Sequence, residues 1–226
     1  MKFIEYADRE MMMMDLANRL ASEINEAVLV NDHATFAVPG GSTPGPIFDV
    51  LSATQVHWDK VTVLPTDERW VDEGSEFSNA RLIRQRLLVG KAAAAQFVPL
   101  YRAESSLEET AEALGVELAA QMPLSVVLLG MGGDMHTASL FPGEELAGLM
   151  RHGNSPICYP VKMPGLDPRI ERISLSETAL NGAMSKHLLI TGADKRAAFE
   201  RALELNDPVA APISAVAQNL NVHWAE

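Results

Sequence analysis

The chain is short of several things, and each shortage excludes a class. It holds one cysteine, Cys158, among 226 residues, so no internal disulfide can form and a reducing compartment is expected. Basic residues are the minority, 18 Lys and Arg against 30 Asp and Glu, for a formal net charge of -12. That balance argues against general nucleic-acid binding and against an anionic membrane surface. A small anionic ligand stays admissible, because it feels the local field of a pocket. No run approaches the roughly 18 to 20 apolar residues of a membrane span. The opening MKFIEYADRE carries acids where a signal peptide carries basic residues, so the cytoplasm is the expected compartment. No H-E-x-x-H, no Cys/His pairing and no G-x-S-x-G elbow occurs, so neither a metal site nor a serine-hydrolase triad is predicted. His33, His57, His152, His187 and His223 are scattered.

What remains is a globular composition, 47% hydrophobic and 21% charged. At this length a chain buries roughly 70% of its unfolded surface, enough to fold without staples. One domain over residues 1–226 is the expectation. Apolar runs alternate with helical periodicity. Strands are predicted at 35–38, 61–65, 97–100, 125–129, 157–161, 172–175 and 187–191, with an edge strand at 221–224. Helices are predicted at about 8–30, from 46, and at 79–88, 106–121, 177–184 and 194–205. Leu16, Leu20, Ile24 and Ala27 give the first helix its apolar stripe, and Ser106 with Glu109 has capping-box spacing. The stretches 143–156 and 206–212 read as irregular. The alternation predicts an α/β fold of three layers, a mostly parallel twisted sheet with helices on both faces. In such sheets ligands sit beyond the carboxyl ends of the strands, so the loops that follow strands carry the chemistry.

Four loops qualify. Val38-Pro39-Gly40-Gly41-Ser42-Thr43-Pro44 follows a strand and opens a helix. Its glycines admit close approach, Ser42 or Thr43 is a cap candidate, and free N–H groups at a helix start suit a phosphate. No lysine follows, so it is not a Walker loop; an ordinary capped turn is the bland alternative. Pro65-Thr66-Asp67-Glu68-Arg69-Trp70, with Ser78-Asn79 beyond it, offers Arg69 for a phosphate and Asp67 for sugar hydroxyls, or else a solvated loop. The stretch 128–142 brings Asp134-x-His136 after a buried strand. Histidine suits general acid/base work near neutral pH, and an Asp beside it can fix its tautomer. Gly130 and Gly132 begin a G-x-G-x-x-G, but Met135 occupies the third glycine's place, so no dinucleotide cofactor is expected. Last, Arg172 begins a strand, and Lys195 lies in the first turn of a helix, where a cation is unfavourable without an intervening anion.

Taken together, PGGSTP at 39–44, TDERWV at 66–71 with SNARL at 78–82, LLGMGGDMHTASLFPG at 128–143, and RISLSETALN at 172–181 with LLITGADKR at 188–196 resemble the 6-phosphogluconolactonase family. That family lies within the glucosamine-6-phosphate isomerase/deaminase superfamily. The resemblance spans nearly the whole chain. One position departs: Met135 stands where the family usually has glycine, which suggests a positive φ or close packing that Met tolerates poorly. Deaminase members carry an acid soon after the histidine; here none appears before Glu144, which favours the lactonase branch. The resemblance implies cofactor-free hydrolysis of 6-phosphoglucono-1,5-lactone in the pentose phosphate pathway. His136 would act as base on water, supported by Asp134. Gly40, Gly41, Ser42, Thr43, Asp67, Arg69, Asn79, Arg172 and Lys195 would bind the substrate. The alternatives are a glucosamine-6-phosphate deaminase or aldose–ketose isomerase, and a non-catalytic sugar-phosphate sensor. The partner expected is thus a small sugar-phosphate lactone, with no nucleic acid or membrane.

Overall fold

Helix α1 (Arg9–Asn31) shows how local signals set the architecture. The Asp8 side chain accepts from the Met11 N–H at 2.7 Å and starts the helix. Asp32, in the left-handed region at φ 62, ends it. Between them Met12, Leu16, Leu20 and Ile24 are fully buried, so one face of the helix is committed to the core. The computed structural model describes residues 1–150, 155–162 and 171–226.

Seven strands form the central sheet: β1 (Lys2–Glu5), β2 (Ala34–Val38), β3 (Val61–Pro65), β5 (Gln96–Phe97), β6 (Val126–Leu129), β9 (Ser185–Thr191) and β10 (Leu220–Ala225). Their order is β1-β10-β9-β6-β2-β3-β5, and every pairing is parallel. All residues of β2, β3 and β6 are buried, the continuous apolar reading that a doubly covered parallel strand requires. One face packs on α1, α2 (Gly45–Ala53) and α3 (Asn79–Arg86). The other packs on α4 (Leu107–Ala119) and α7 (Ala193–Leu205). The three-layer α/β expectation therefore holds. Ser106 and Glu109 form the capping box that opens α4, with N–H contacts of 3.2 and 3.0 Å.

Four local expectations need correction. The segment after β3 is not a loop: Asp67–Arg69 is a strand, β4. It pairs antiparallel with β8 (Arg172–Leu175), which pairs antiparallel with β7 (Cys158–Val161), giving a second, three-stranded sheet. The 221–224 strand is not at an edge, because β1 covers it; a four-residue run of mixed polarity gave β1 no readable pattern. Within 143–156, Glu144–Met150 is helix α5, while 151–154 lie outside the described residues. The helix predicted at 177–184 ends earlier, as α6 (Glu177–Asn181), and is capped by Ser176.

The chain leaves β2 toward β3 on one side and β6 lies on the other, so the sheet's topological switch falls between β2 and β6. The carboxyl ends of those two strands deliver residues 39–44 and 130–138, which is where an α/β sheet places a ligand.

Candidate active site

A cleft of about 250 Å³ opens at that switch point, lined from β2, β4, β6, β8, β9 and the start of α7. Gly40, Gly41, Thr43, Asp67, Arg69, His136, Arg172 and Lys195 all face it. Asn79 and Asp134 do not line it; they hydrogen-bond Arg69 and His136, which do. Ser42 lines a neighbouring groove with Arg9 and Met13.

The β2 loop differs from expectation in detail. Neither Ser42 nor Thr43 caps α2; Pro44 holds the N-cap position without a side-chain hydrogen bond. Gly41 needs its freedom, at φ +85. Gly40 needs its bareness, since a Cβ there would fall 1.8 Å from Asn79 Oδ1. Among the described residues, the amides of Gly41, Ser42 and Thr43 donate to no protein acceptor.

The β6 loop turns sharply to present the histidine. Met135 adopts φ +68 and Ala138 φ +49, left-handed conformations that non-glycine residues rarely hold. The positive φ suggested by the missing glycine is thus present, and Met135 carries it. His136 Nδ1 meets Asp134 Oδ1 at 2.5 Å. The Asp134 carboxyl is held below its usual range, chiefly by that hydrogen bond and against partial burial. An ionised Asp134 accepts Nδ1–H, which leaves Nε2 as the basic ring nitrogen. A Cβ on Gly132 would strike the ring at 2.1 Å and Asp134 at 2.4 Å, so the dyad rests on bare backbone. The His136 ring also packs on Phe141, centroids 4.6 Å apart.

Antiparallel pairing of β4 with β8 sets Arg69 directly opposite Arg172. Arg172 is 7% exposed, and among the described residues its Nε has no hydrogen-bond partner. Its basicity is lowered first by burial and then by the Arg69 charge. Two guanidiniums packed together at the cost of desolvation call for an anion between or beside them. The nearby carboxylates do not serve. Asp67 accepts from the Ser139 hydroxyl at 2.5 Å, and Glu68 accepts from backbone N–H groups. Burial pushes the Glu68 carboxyl up against the pull of those donors. Lys195 reaches across to the Met131 carbonyl at 2.9 Å, which places its ammonium at the cleft wall.

Sequence reasoning passed over Glu68, Ser139 and Thr191. Ser139 stands in the quoted motif, but its bond to Asp67 spans 72 positions and no spacing announces it. Thr191 lines the cleft from the end of β9 and was readable as a strand terminus. Among the described residues no three His, Cys, Asp or Glu side chains gather as a metal-binding group. No helix among them is long and apolar enough to cross a membrane.

Comparison with known proteins agrees with this geometry. The family model described as glucosamine-6-phosphate isomerases/6-phosphogluconolactonase matches residues 7–224. A 6-phosphogluconolactonase of Mesorhizobium japonicum is 38% identical over 97% of this chain and 93% of its own. One of Caulobacter vibrioides is 37% identical over 100% and 97%. The crystal structure of a 6-phosphogluconolactonase from Shewanella baltica superimposes with a TM-score of 0.90 at 33% identity, covering 100% of this chain and 97% of that one. With strand order, cleft position and full-length similarity in agreement, the chain belongs to the glucosamine-6-phosphate isomerase/6-phosphogluconolactonase family.

Proposed function

We propose that the chain hydrolyses 6-phosphoglucono-1,5-lactone to 6-phosphogluconate, a step of the pentose phosphate pathway, as a single cytoplasmic domain. The observation that carries the reading is the pairing of Arg69 with Arg172 across from the Asp134–His136 dyad in one cleft. Two guanidiniums with no carboxylate partner among the described residues fit a phosphate, and a histidine with one nitrogen held by a carboxylate fits a base. Full-length relatives of that name add support.

In the mechanism, His136 Nε2 removes a proton from water as the water oxygen bonds to the lactone carbonyl carbon. The electron pair of the C=O bond moves to oxygen. The resulting oxyanion is held by backbone N–H groups of the glycine-rich turns. The tetrahedral centre then collapses, the bond to the ring oxygen breaks, and the imidazolium returns its proton to that oxygen. The ring opens to the free acid, which ionises. Asp134 orients the imidazole and stabilises its charged form. Arg69, Arg172, Lys195 and the 40–43 backbone bind phosphate and sugar, with Asp67 accepting from a hydroxyl. Neither metal nor cofactor takes part.

The test is purified protein assayed on freshly made lactone and on glucosamine 6-phosphate, with spontaneous hydrolysis subtracted. Lactonase activity without deamination is expected. Deamination alone, or binding with no turnover of either, overturns the reading.

A further inference from the structure

Glu68 lies beside both cleft arginines, is 1% exposed, and pairs with neither. Its Oε1 accepts from the N–H groups of Arg69 and Asn79, each at 2.8 Å. Its Oε2 accepts from the Ala80 N–H at 2.7 Å and the Ser78 hydroxyl at 3.2 Å. One carboxylate therefore ties the backbone of β4 to the opening turn of α3, where the helix dipole favours an anion. Each oxygen meets at least one backbone N–H, so a carboxamide could not replace it without setting its NH2 against a backbone donor.

The consequence runs through Asn79. Its Nδ2 donates to the Asp67 carbonyl at 2.7 Å, and its Oδ1 accepts from Arg69 Nη1. Gly40 rests on the same side chain. The backbone that Glu68 holds thus carries the residue that aims the Arg69 guanidinium and supports the 39–44 loop. Because its oxygens are occupied by α3, Glu68 supplies negative charge near two arginines without consuming the N–H groups they turn to the cleft.

We propose that Glu68 is a positioning residue for anion recognition: acting through α3 and Asn79, it fixes the Arg69 guanidinium in register with Arg172 to receive the phosphate of the substrate. The inference rests on the lactonase reading for the substrate's identity, though its anion-binding part is measurable separately.

The experiment compares wild type, Glu68→Gln and Glu68→Asp. Rates are measured on 6-phosphogluconolactone and on unphosphorylated glucono-1,5-lactone, and 6-phosphogluconate binding by calorimetry. For Glu68→Gln, KM for the phosphorylated lactone should rise at least tenfold while kcat stays within threefold. Its kcat/KM on the unphosphorylated lactone should stay within twofold, and 6-phosphogluconate should weaken by the factor seen in KM. Glu68→Asp, which keeps the charge on a shorter arm, should recover part of the loss. A proportional fall with both lactones, or an unchanged KM with a lower Tm, overturns the proposal. If the Gln variant does not fold, the Asp variant decides. A threefold or greater rise in KM confined to the phosphorylated substrate supports the proposal, and its absence overturns it. Wild type that binds 6-phosphogluconate but hydrolyses neither lactone refutes the lactonase reading, and calorimetry then decides the role of Glu68. Wild type that binds nothing refutes both.

Discussion

Two histidine clusters in this molecule are wired in opposite ways. In the cleft, among the described residues, His136 has a partner on Nδ1 only, and Arg172 has a buried Nε with none. Behind the sheet, where α1 covers β9 and β10, Glu23, His187, His223, Tyr6 and Asp15 form a chain in which each group has its partner. Glu23 Oε2 meets His187 Nε2 at 2.7 Å, and His187 Nδ1 meets His223 Nε2 at 2.9 Å. His223 Nδ1 meets the Tyr6 hydroxyl at 2.9 Å, and that hydroxyl donates to Asp15 at 2.6 Å. The protons can be counted along it. Since Tyr6 donates to Asp15, its oxygen accepts Nδ1–H from His223. His223 Nε2 then accepts from His187 Nδ1–H, and the other His187 nitrogen faces Glu23. Burial would raise Glu23, but hydrogen bonds from His187 and Ser185 bring its carboxyl below the usual range. Burial, followed by the charge of His187, lowers His223 from 6.5 to about 3 and keeps it neutral. The lesson lies in satisfaction rather than residue type: a closed polar network stabilises a fold, and an open one waits for a ligand.

The largest expected effect separates the two clusters directly. His136→Ala should lower kcat by about 10²- to 10⁴-fold with Tm little changed. His187→Ala should keep the activity per folded molecule while removing about 3 kcal/mol of stability, because it leaves a buried network open. Parallel rate assays and urea titrations check both; equal activity losses would erase the distinction.

Arg172→Met comes next. It should raise KM for the phosphorylated lactone more than tenfold. It should also leave stability unchanged or raise it by about 1 kcal/mol, since a buried charge without a carboxylate partner among the described residues is removed. Denaturant midpoints alongside KM measure this, and a large loss of stability would place Arg172 with the structural network.

The pH dependence of stability sharpens the contrast from the other side. His223 has a folded pKa below its unfolded one, so in the window between them the unfolded chain binds more protons. Its contribution is complete above about pH 6.5 and is lost as pH falls toward 3. Unfolding free energy should drop by on the order of 1 to 2 kcal/mol between pH 6.5 and 5. The drop should shrink in His223→Gln, measured by urea titration at each pH.

Smaller still is Met135→Gly, which relieves a left-handed residue at φ +68 but loosens the unfolded chain. The net change should stay within about 1 kcal/mol. At zero lies EDTA, which should leave activity unaltered; loss restored by a divalent ion would break the metal-free mechanism.

Much of this was legible in the chain itself. The Asp134-x-His136 turn, the 39–44 loop and the two arginine-bearing segments stood out because glycines, prolines and caps act over a few residues. Met135 was marked for positive φ or close packing only because the family it resembles usually has glycine there. The cap on α2 was misread: Ser42 and Thr43 have cap chemistry, yet two prolines at 44 and 46 set where the helix begins. The β4 strand was hidden because three charged residues, Asp67, Glu68 and Arg69, carry no apolar alternation. Their pairing as a strand depends on β8, more than a hundred positions away.

Local chemistry along the chain determined the helices, the apolar strands, the lack of any disulfide, and the residue types available for acid–base work and anion binding. Those follow from periods of two and 3.6 residues and from backbone limits at single positions. Tertiary structure decided the rest. The β4–β8 register set Arg69 against Arg172, the strand order opened a cleft between β2 and β6, and burial divided histidines of one chemical kind into a closed network and an open base. Register and burial are properties of pairs distant in sequence, where desolvation and Coulomb energy depend on neighbours that no local pattern specifies.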